Sequence, residues 1–401
     1  MGWRIPLSFP VLAVCILTGC EGSTPEQGDL PAAESGSVPD YEAIANLLLA
    51  RMDLQPGEQV LLVAQAGRWD PLLPLLQSGV TQAGATDLGA VDVFGMPIAA
   101  AEPRPFADGL AATDPSGWRE ALDDVDLALM LPGAVPTEAD VDVYRALQEV
   151  LRAGHGRTIH FHWEGATAMD GATLSVDDEV DRTYQTALLE TDYEALGEDQ
   201  RAFESALRAG QVRVTTPAGT DLTFRVGDRP VTRQDGDASA TRAAAARNLI
   251  DREVELPAGA IRVSPVLTSV QGTIAFPPAV WGGERVEGLR VRFEEGRVVE
   301  ATADMGIEGF ERETSAAGEA GRSFRELALG FNPLLAVPDS SDPWIPYYGY
   351  GAGVVRLSLG DNTELGGTVG GGYVRWNFFT DATVEIDGFP WVRDGRMPPS
   401  P

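Results

Sequence analysis

The hydrophobic pattern of this chain changes period once, near residue 210, and that change bounds the folds open to it. Before it, helical spacing alternates with continuous apolar runs. Asp40 is placed to cap a helix carrying Ile44, Leu47, Leu48 and Met52, and the turn Gln55-Pro56-Gly57 leads into a predicted strand over 60–64. Asp70-Pro71 opens a second helix, and 91–94 and 125–131 read as strands. Thr137 caps a helix running through Leu151 with Gly154 as its stop, and 158–163 is the next strand. Such alternation predicts an N-terminal α/β domain with a mostly parallel sheet over 40–176, followed by an acidic helical linker over 177–210. From Gln211 the runs are short and alternate with period two: 212–215, 222–226, 261–266, 289–293 and 298–301. Turn residues such as Pro217-Ala218-Gly219 and Glu295-Gly296 separate them. A C-terminal, mainly antiparallel β domain with a few helices is expected over 211–395.

The first residues point to an address rather than to the fold. A charged start, Met1 to Arg4, precedes an apolar stretch over 5–17 that is too short to span a bilayer, and Leu17-Thr18-Gly19-Cys20 follows at once. The pattern resembles a bacterial lipoprotein signal over 1–20 that places lipid on Cys20; an ordinary cleaved signal or an anchor helix is the alternative. Residues 21–39 are rich in Gly, Pro, Ser and acids and read as a disordered tether. The only other cysteine, Cys15, leaves with the signal, so no intramolecular disulfide is expected. The expected setting is the bacterial cell envelope, with the body held at the membrane by its N-terminal lipid and facing the periplasm or the exterior. Thirty basic against 60 acidic residues give a net charge of -30, which repels nucleic acid and excludes it as a partner. All the basic side chains other than three histidines are arginines, forked donors suited to carboxylates.

Two stretches carry candidate chemistry. In "TIHFHWEG" the residues His160, His162 and Glu164 alternate, so as a strand they share one face near the carboxyl end of a parallel sheet. Two imidazoles and a carboxylate there fit a metal, and the same pattern fits hydrogen-bonded structural histidines. In "GGGYVRWNFFTD" five glycines between Gly366 and Gly372 lead into an alternating strand with Arg375 and Asn377 on one face. The aromatic run "PWIPYYGYG", with Trp344, Tyr347, Tyr348 and Tyr350, fits either a stacking platform or packing and dimer contact.

The runs "VRVTTPAGTDLTFRVGDRPV", "LPAGAIRVSPV", "GTIAF", "GLRVRFEEGRVVEATA", "RELALGFNPLL" and "VEIDG" follow one another in an order that resembles the aminopeptidase T type of thermophilic metallo-aminopeptidase. "LQPGEQVLLVAQAG" resembles that family's opening strand, so the likeness covers most of 41–395. It implies a two-domain protein, commonly a dimer, whose C-terminal domain holds two metals and removes N-terminal amino acids from peptides. Carried over residue by residue, the family's first metal glutamate, which follows a Pro-x-Gly turn, falls on Ala260. The second, shortly before Gly-x-Asn-Pro, is kept as Glu326. The histidine that opens a strand ending in Gly becomes Arg356, the nearby catalytic tyrosine becomes Thr363, and the His-x-Asp pair becomes Arg375-Trp376-Asn377.

Arginine keeps its proton and has no acceptor, so it cannot ligate a metal. The resemblance with these substitutions implies a family member whose metal site is degenerate, with no confident catalytic residue and no cofactor. Glu326, Arg356 and Arg375 are then its candidates for binding a peptide or a small anion. Two other readings stand beside this one. The first is an active, leucyl aminopeptidase-like enzyme using zinc, cobalt or manganese on displaced ligands drawn from Glu253, Glu255, Glu326, Asp361, Glu364 and Asp381. The second is a surface scaffold without a ligand.

Overall fold

The structure is a computed structural model that describes residues 38–134 and 141–398; Cys20, residues 21–37 of the expected tether and Thr137 lie outside the described residues. Mixed α/β architecture is observed, with one parallel sheet and several antiparallel ones. The parallel sheet runs in the order Thr86–Val91, Gln59–Val63, Leu127–Met130, Arg157–Phe161, Glu253–Leu256. Strands Gln59–Val63 and Leu127–Met130 are apolar on both faces because both are covered: Val60, Leu62, Leu127 and Leu129 enter one core cluster, and Leu61, Val63, Ala128 and Met130 enter another. The fifth strand comes from beyond residue 210, so the sequence that reads as a separate β region completes the parallel sheet.

Local signals act where the sequence places them. Asp40 accepts from the Ala43 amide at the start of helix Tyr41–Met52, and Gly154, with φ 89°, follows helix Val141–Arg152. One strand is displaced from expectation: it covers Thr86–Val91 and not 91–94. Asp92 Oδ1 accepts from the amides of Phe94 and Met96, and this turn ends the extended run at Val91. Helices Asp178–Glu190 and Tyr193–Ala209 then lead into the β region. Among the described residues no helix is long and apolar enough to cross a membrane.

A seven-stranded antiparallel sheet is wet on one face, as the alternation of Gln211–Thr215 and Asp221–Arg225 shows: Val212, Val214, Leu222 and Phe224 are buried, while Arg213 and Asp221 pair on the exposed side. The sheet that matters for function is the other large one. It runs Val374–Arg375, Val355–Gly360, Phe324–Gly330, Ala260–Val263, Val231–Arg233, with Phe378–Phe379 also paired to Val355–Gly360. Its three middle strands are buried along their whole length. Ala260 opposes Gly330 and Arg262 opposes Ala328, while on the far side Glu326 opposes Ser358 and Ala328 opposes Arg356. Strand alternation therefore puts Ala260, Arg262, Glu326, Arg356 and Ser358 on one face.

Candidate functional site: a buried arginine and glutamate cluster

Two turns fix the register of that face. The Phe331 amide donates to the Gly259 carbonyl at 2.6 Å, tying the Pro-x-Gly turn to the Gly-x-Asn-Pro turn. Asn332 caps the Leu334 amide and donates to the Ala258 carbonyl at 2.8 Å, so its role in the turn is structural. Gly259 is required, since a Cβ there would stand 2.7 Å from the Tyr350 carbonyl oxygen.

Glu326 is 0% exposed, and three arginines converge on it: Arg262, Arg325 and Arg356, at 4%, 2% and 2% exposure. Arg262 Nε donates to Glu326 Oε2 at 3.1 Å, Ser358 donates to Oε1 at 3.3 Å, Arg356 Nη2 lies 3.2 Å from Oε1, and Arg325 Nε lies 3.7 Å away. A second carboxylate, Glu364, receives Arg262 Nη2 at 3.1 Å and is bonded by Arg325 as well. A third, Glu255, stands 3.6 Å from Arg262 Nη1 and accepts the Tyr350 hydroxyl. Burial works against the Glu326 charge, but Arg262, Arg356 and Arg325 outweigh it and hold the carboxyl far below the usual carboxylate range. Arg356 is pulled the other way, its pKa lowered by burial and by Arg262 despite Glu326. Its Nη1 donates to the Tyr348 carbonyl at 3.2 Å and the Trp376 ring covers its guanidinium at 4.5 Å, while Nε and Nη2 make no hydrogen bond among the described residues.

Arg375 is not part of this cluster. It opposes Leu359, whose parity is that of Val355 and Leu357, on the face opposite Arg356 and Ser358. There it lies over the Trp281 ring at 4.0 Å, donates to the Val280 carbonyl at 2.8 Å and pairs with Glu313 at 3.4 Å. Asn377 donates to the Leu357 carbonyl at 3.3 Å, closing the sheet edge. Of the stretch that reads as Arg-x-Asn, the residue that reaches the cluster is Trp376. Thr363 donates to Asp361 at 2.6 Å on the loop that carries Glu364. Asp361 also accepts from the Thr363 and Gly372 amides, so its oxygens are spent on its own loop.

The histidine motif abuts the same cluster. His160 is paired in register with Glu255, and the strand ends at Phe161, leaving His162 and Glu164 beyond it. His162 Nδ1 is 3.6 Å from Glu164 Oε1, and this contact holds Glu164 below its ordinary value. Burial, then His162, depress His160 to about 4, so it is neutral at pH 7. Tyr347 and Tyr348 stack around His162 at 6.4 and 5.8 Å, and Gly165 is required because a Cβ would strike the Tyr348 ring at 2.7 Å. Trp344, Tyr347 and Tyr350 are buried, and Tyr347 donates to the Leu256 carbonyl at 2.8 Å, so this aromatic run packs between the sheets. Among the described residues no group of three or more His, Cys, Asp or Glu side chains converges as a metal site.

The donor set does not fit a pair of dications: both Glu326 oxygens face guanidinium or hydroxyl donors, and the neighbours on its face are arginines. The arginine at 262 and the one at 325 were both missed as site residues. Arg262 shares the face of Ala260 by strand parity alone, which was a usable signal; Arg325 reaches the cluster through an irregularity of register between Phe324 and Glu326.

The fold is that of the aminopeptidase T type of protein. It is similar to wild-type AmpT from Thermus thermophilus, at 19% identity and TM-score 0.57 over 88% of this chain and 98% of that one. It is also similar to 2,5-dihydroxypyridine dioxygenase from Pseudomonas putida KT2440, at 15% identity and TM-score 0.59 over 90% and 97%. Residues 189–334, which include Ala260, Arg262, Arg325 and Glu326, match the family described as thermophilic metalloprotease (M29), and the resemblance read from the sequence is thereby borne out. No curated protein matches the chain.

Proposed function

We propose that this chain is a lipid-anchored relative of the aminopeptidase T-type metallo-aminopeptidases that has exchanged the two-metal site for an internal charge cluster and binds a peptide or a small anion without cleaving it. The carrying observation is that Glu326 is engaged by arginines on the face where the resemblance expects ligands. A cluster of three guanidiniums and three carboxylates is neutral within itself, and added dications would meet three fixed positive charges at short range. Arg356 is buried under the half-exposed Trp376 ring with Nε and Nη2 making no hydrogen bond among the described residues, and a ligand carboxylate would meet it by displacing that ring.

The purified, signal-free protein should carry far less than one equivalent of zinc, cobalt or manganese by mass spectrometry. Turnover of amino-acid anilides should stay at background with each metal added. Ala260→Glu alone should not raise it, because Arg262, Arg325 and Arg356 remain. Chelator-sensitive turnover with stoichiometric metal would overturn this reading in favour of an enzyme with displaced ligands.

Attachment is proposed to run through Cys20. In a bacterial host, Cys20→Ser should abolish acyl labelling and shift the protein out of the detergent phase or leave it unprocessed. An unchanged mass and partition would exclude the lipid.

A further inference from the structure

A cleft of about 480 Å³ opens between the end of helix Val141–Arg152, the segment 246–252 and the loop 363–366, and Arg356 is not in its lining. Three of its lining residues are arginines, Arg152, Arg247 and Arg252, in a chain whose net charge is -30. Among the described residues one carboxylate lines it, Glu364, whose Oε1 is engaged by both Arg262 and Arg325. The three guanidiniums are held but not saturated. Arg252 donates to the Gly156 carbonyl at 2.9 Å and Arg152 to Gln148 at 3.2 Å, while Arg247 donates to the Asp228 carbonyl at 2.7 Å and pairs with its exposed carboxylate at 3.4 Å. Each guanidinium has five N–H donors, so several remain on every one. Asn248, also in the lining, has an amide nitrogen buried without a hydrogen-bond partner among the described residues, while its oxygen accepts from the Asp251 amide at 2.9 Å. Burial lowers the pKa of Arg252, and Asp251 opposes that shift in part.

We propose that this cleft binds a compact anion carrying at least two negative charges, a polycarboxylate or a phosphate. Arginine forks recognise planar carboxylates and phosphate oxygens alike, and the unbonded Asn248 amide lies directly behind the lining. The volume suits a small metabolite rather than a folded partner. The cleft touches the Glu326 cluster only through Glu364, and its three arginines are not members of that cluster, so anion binding here does not require the degenerate-enzyme reading.

The test is isothermal titration of the signal-free protein with citrate and with inorganic phosphate, at ionic strength matched by chloride. Saturable binding is expected, with a dissociation constant at or below about 1 mM, and Arg152→Gln and Arg247→Gln should each weaken it about tenfold. Both side chains are exposed, so thermal unfolding without ligand should be unchanged in both variants. Arg285→Gln, at a surface ion pair with Glu287, is the control and should bind as the parent does. Tighter citrate would assign a polycarboxylate ligand and tighter phosphate a phosphoryl one. Absence of saturation by about 10 mM, or equal weakening by the control, would overturn the proposal.

Discussion

Glu326→Ala should lower the unfolding free energy by about 3–5 kcal/mol, measured by urea denaturation near neutral pH, because it leaves three buried guanidiniums around a missing charge. Hydrophobic burial cannot compensate, since an alanine there adds little contact and opens space beside charged groups. Glu326→Gln should fall between the two, keeping volume and one acceptor while losing the charge. Arg375→Ala, on the opposite face and partly exposed, should cost no more than about 1 kcal/mol. That contrast separates the cluster from the surface pair. The pH dependence has a definite sign. Because the folded-state value of Glu326 is depressed, its contribution is complete above the ordinary 4.5 and is lost as pH falls below it. The stability gap between the parent and Glu326→Gln should therefore narrow on acidification below about pH 4.5. A gap that widens there would show that the carboxylate is not held by the arginines.

What the sequence made legible is the part of the fold governed by local pattern. Asp40, Gly154 and the alternation of 211–225 act on their own neighbours, so helix starts, stops and strand faces follow from spacing. Lost were the long-range decisions. Strand Glu253–Leu256 looks like any short β run, and its place beside Arg157–Phe161 depends on pairing with a residue about 95 positions earlier. The site divides the same way. Ala260, Glu326 and Arg356 were located because turns of fixed sequence hold them in register. Arg375 was misplaced because a two-residue strand followed by a break gives no local cue to the face, and one step of parity exchanges Arg375 for Trp376. That His160 and Glu255 are neighbours is again a fact of pairing.

Glu253→Gln should stabilise the protein at alkaline pH, by about 2–4 kcal/mol at pH 9, while leaving it nearly unchanged at pH 5. Glu253 is buried at the end of the parallel sheet, where Gln148 donates to its Oε1 at 3.3 Å. Burial, the Glu364 charge and the Glu255 charge push its carboxyl up to about 8, with Arg262 opposing. For an acid raised in this way the native chain keeps a proton that the unfolded chain releases above its ordinary 4.5. Its contribution to stability is thus present below 4.5 and is lost as pH rises toward about 8. Above that the folded protein must hold one more charge among Glu255 and Glu364, which the cluster's three arginines already serve. Glutamine keeps an acceptor for Gln148 and has no proton to lose, so its stability profile between pH 5 and about 9 should be flatter than the parent's. Parallel profiles for the two proteins would mean that Glu253 is ionised throughout, its charge shared with Arg262, and that the cluster holds four carboxylates against three guanidiniums.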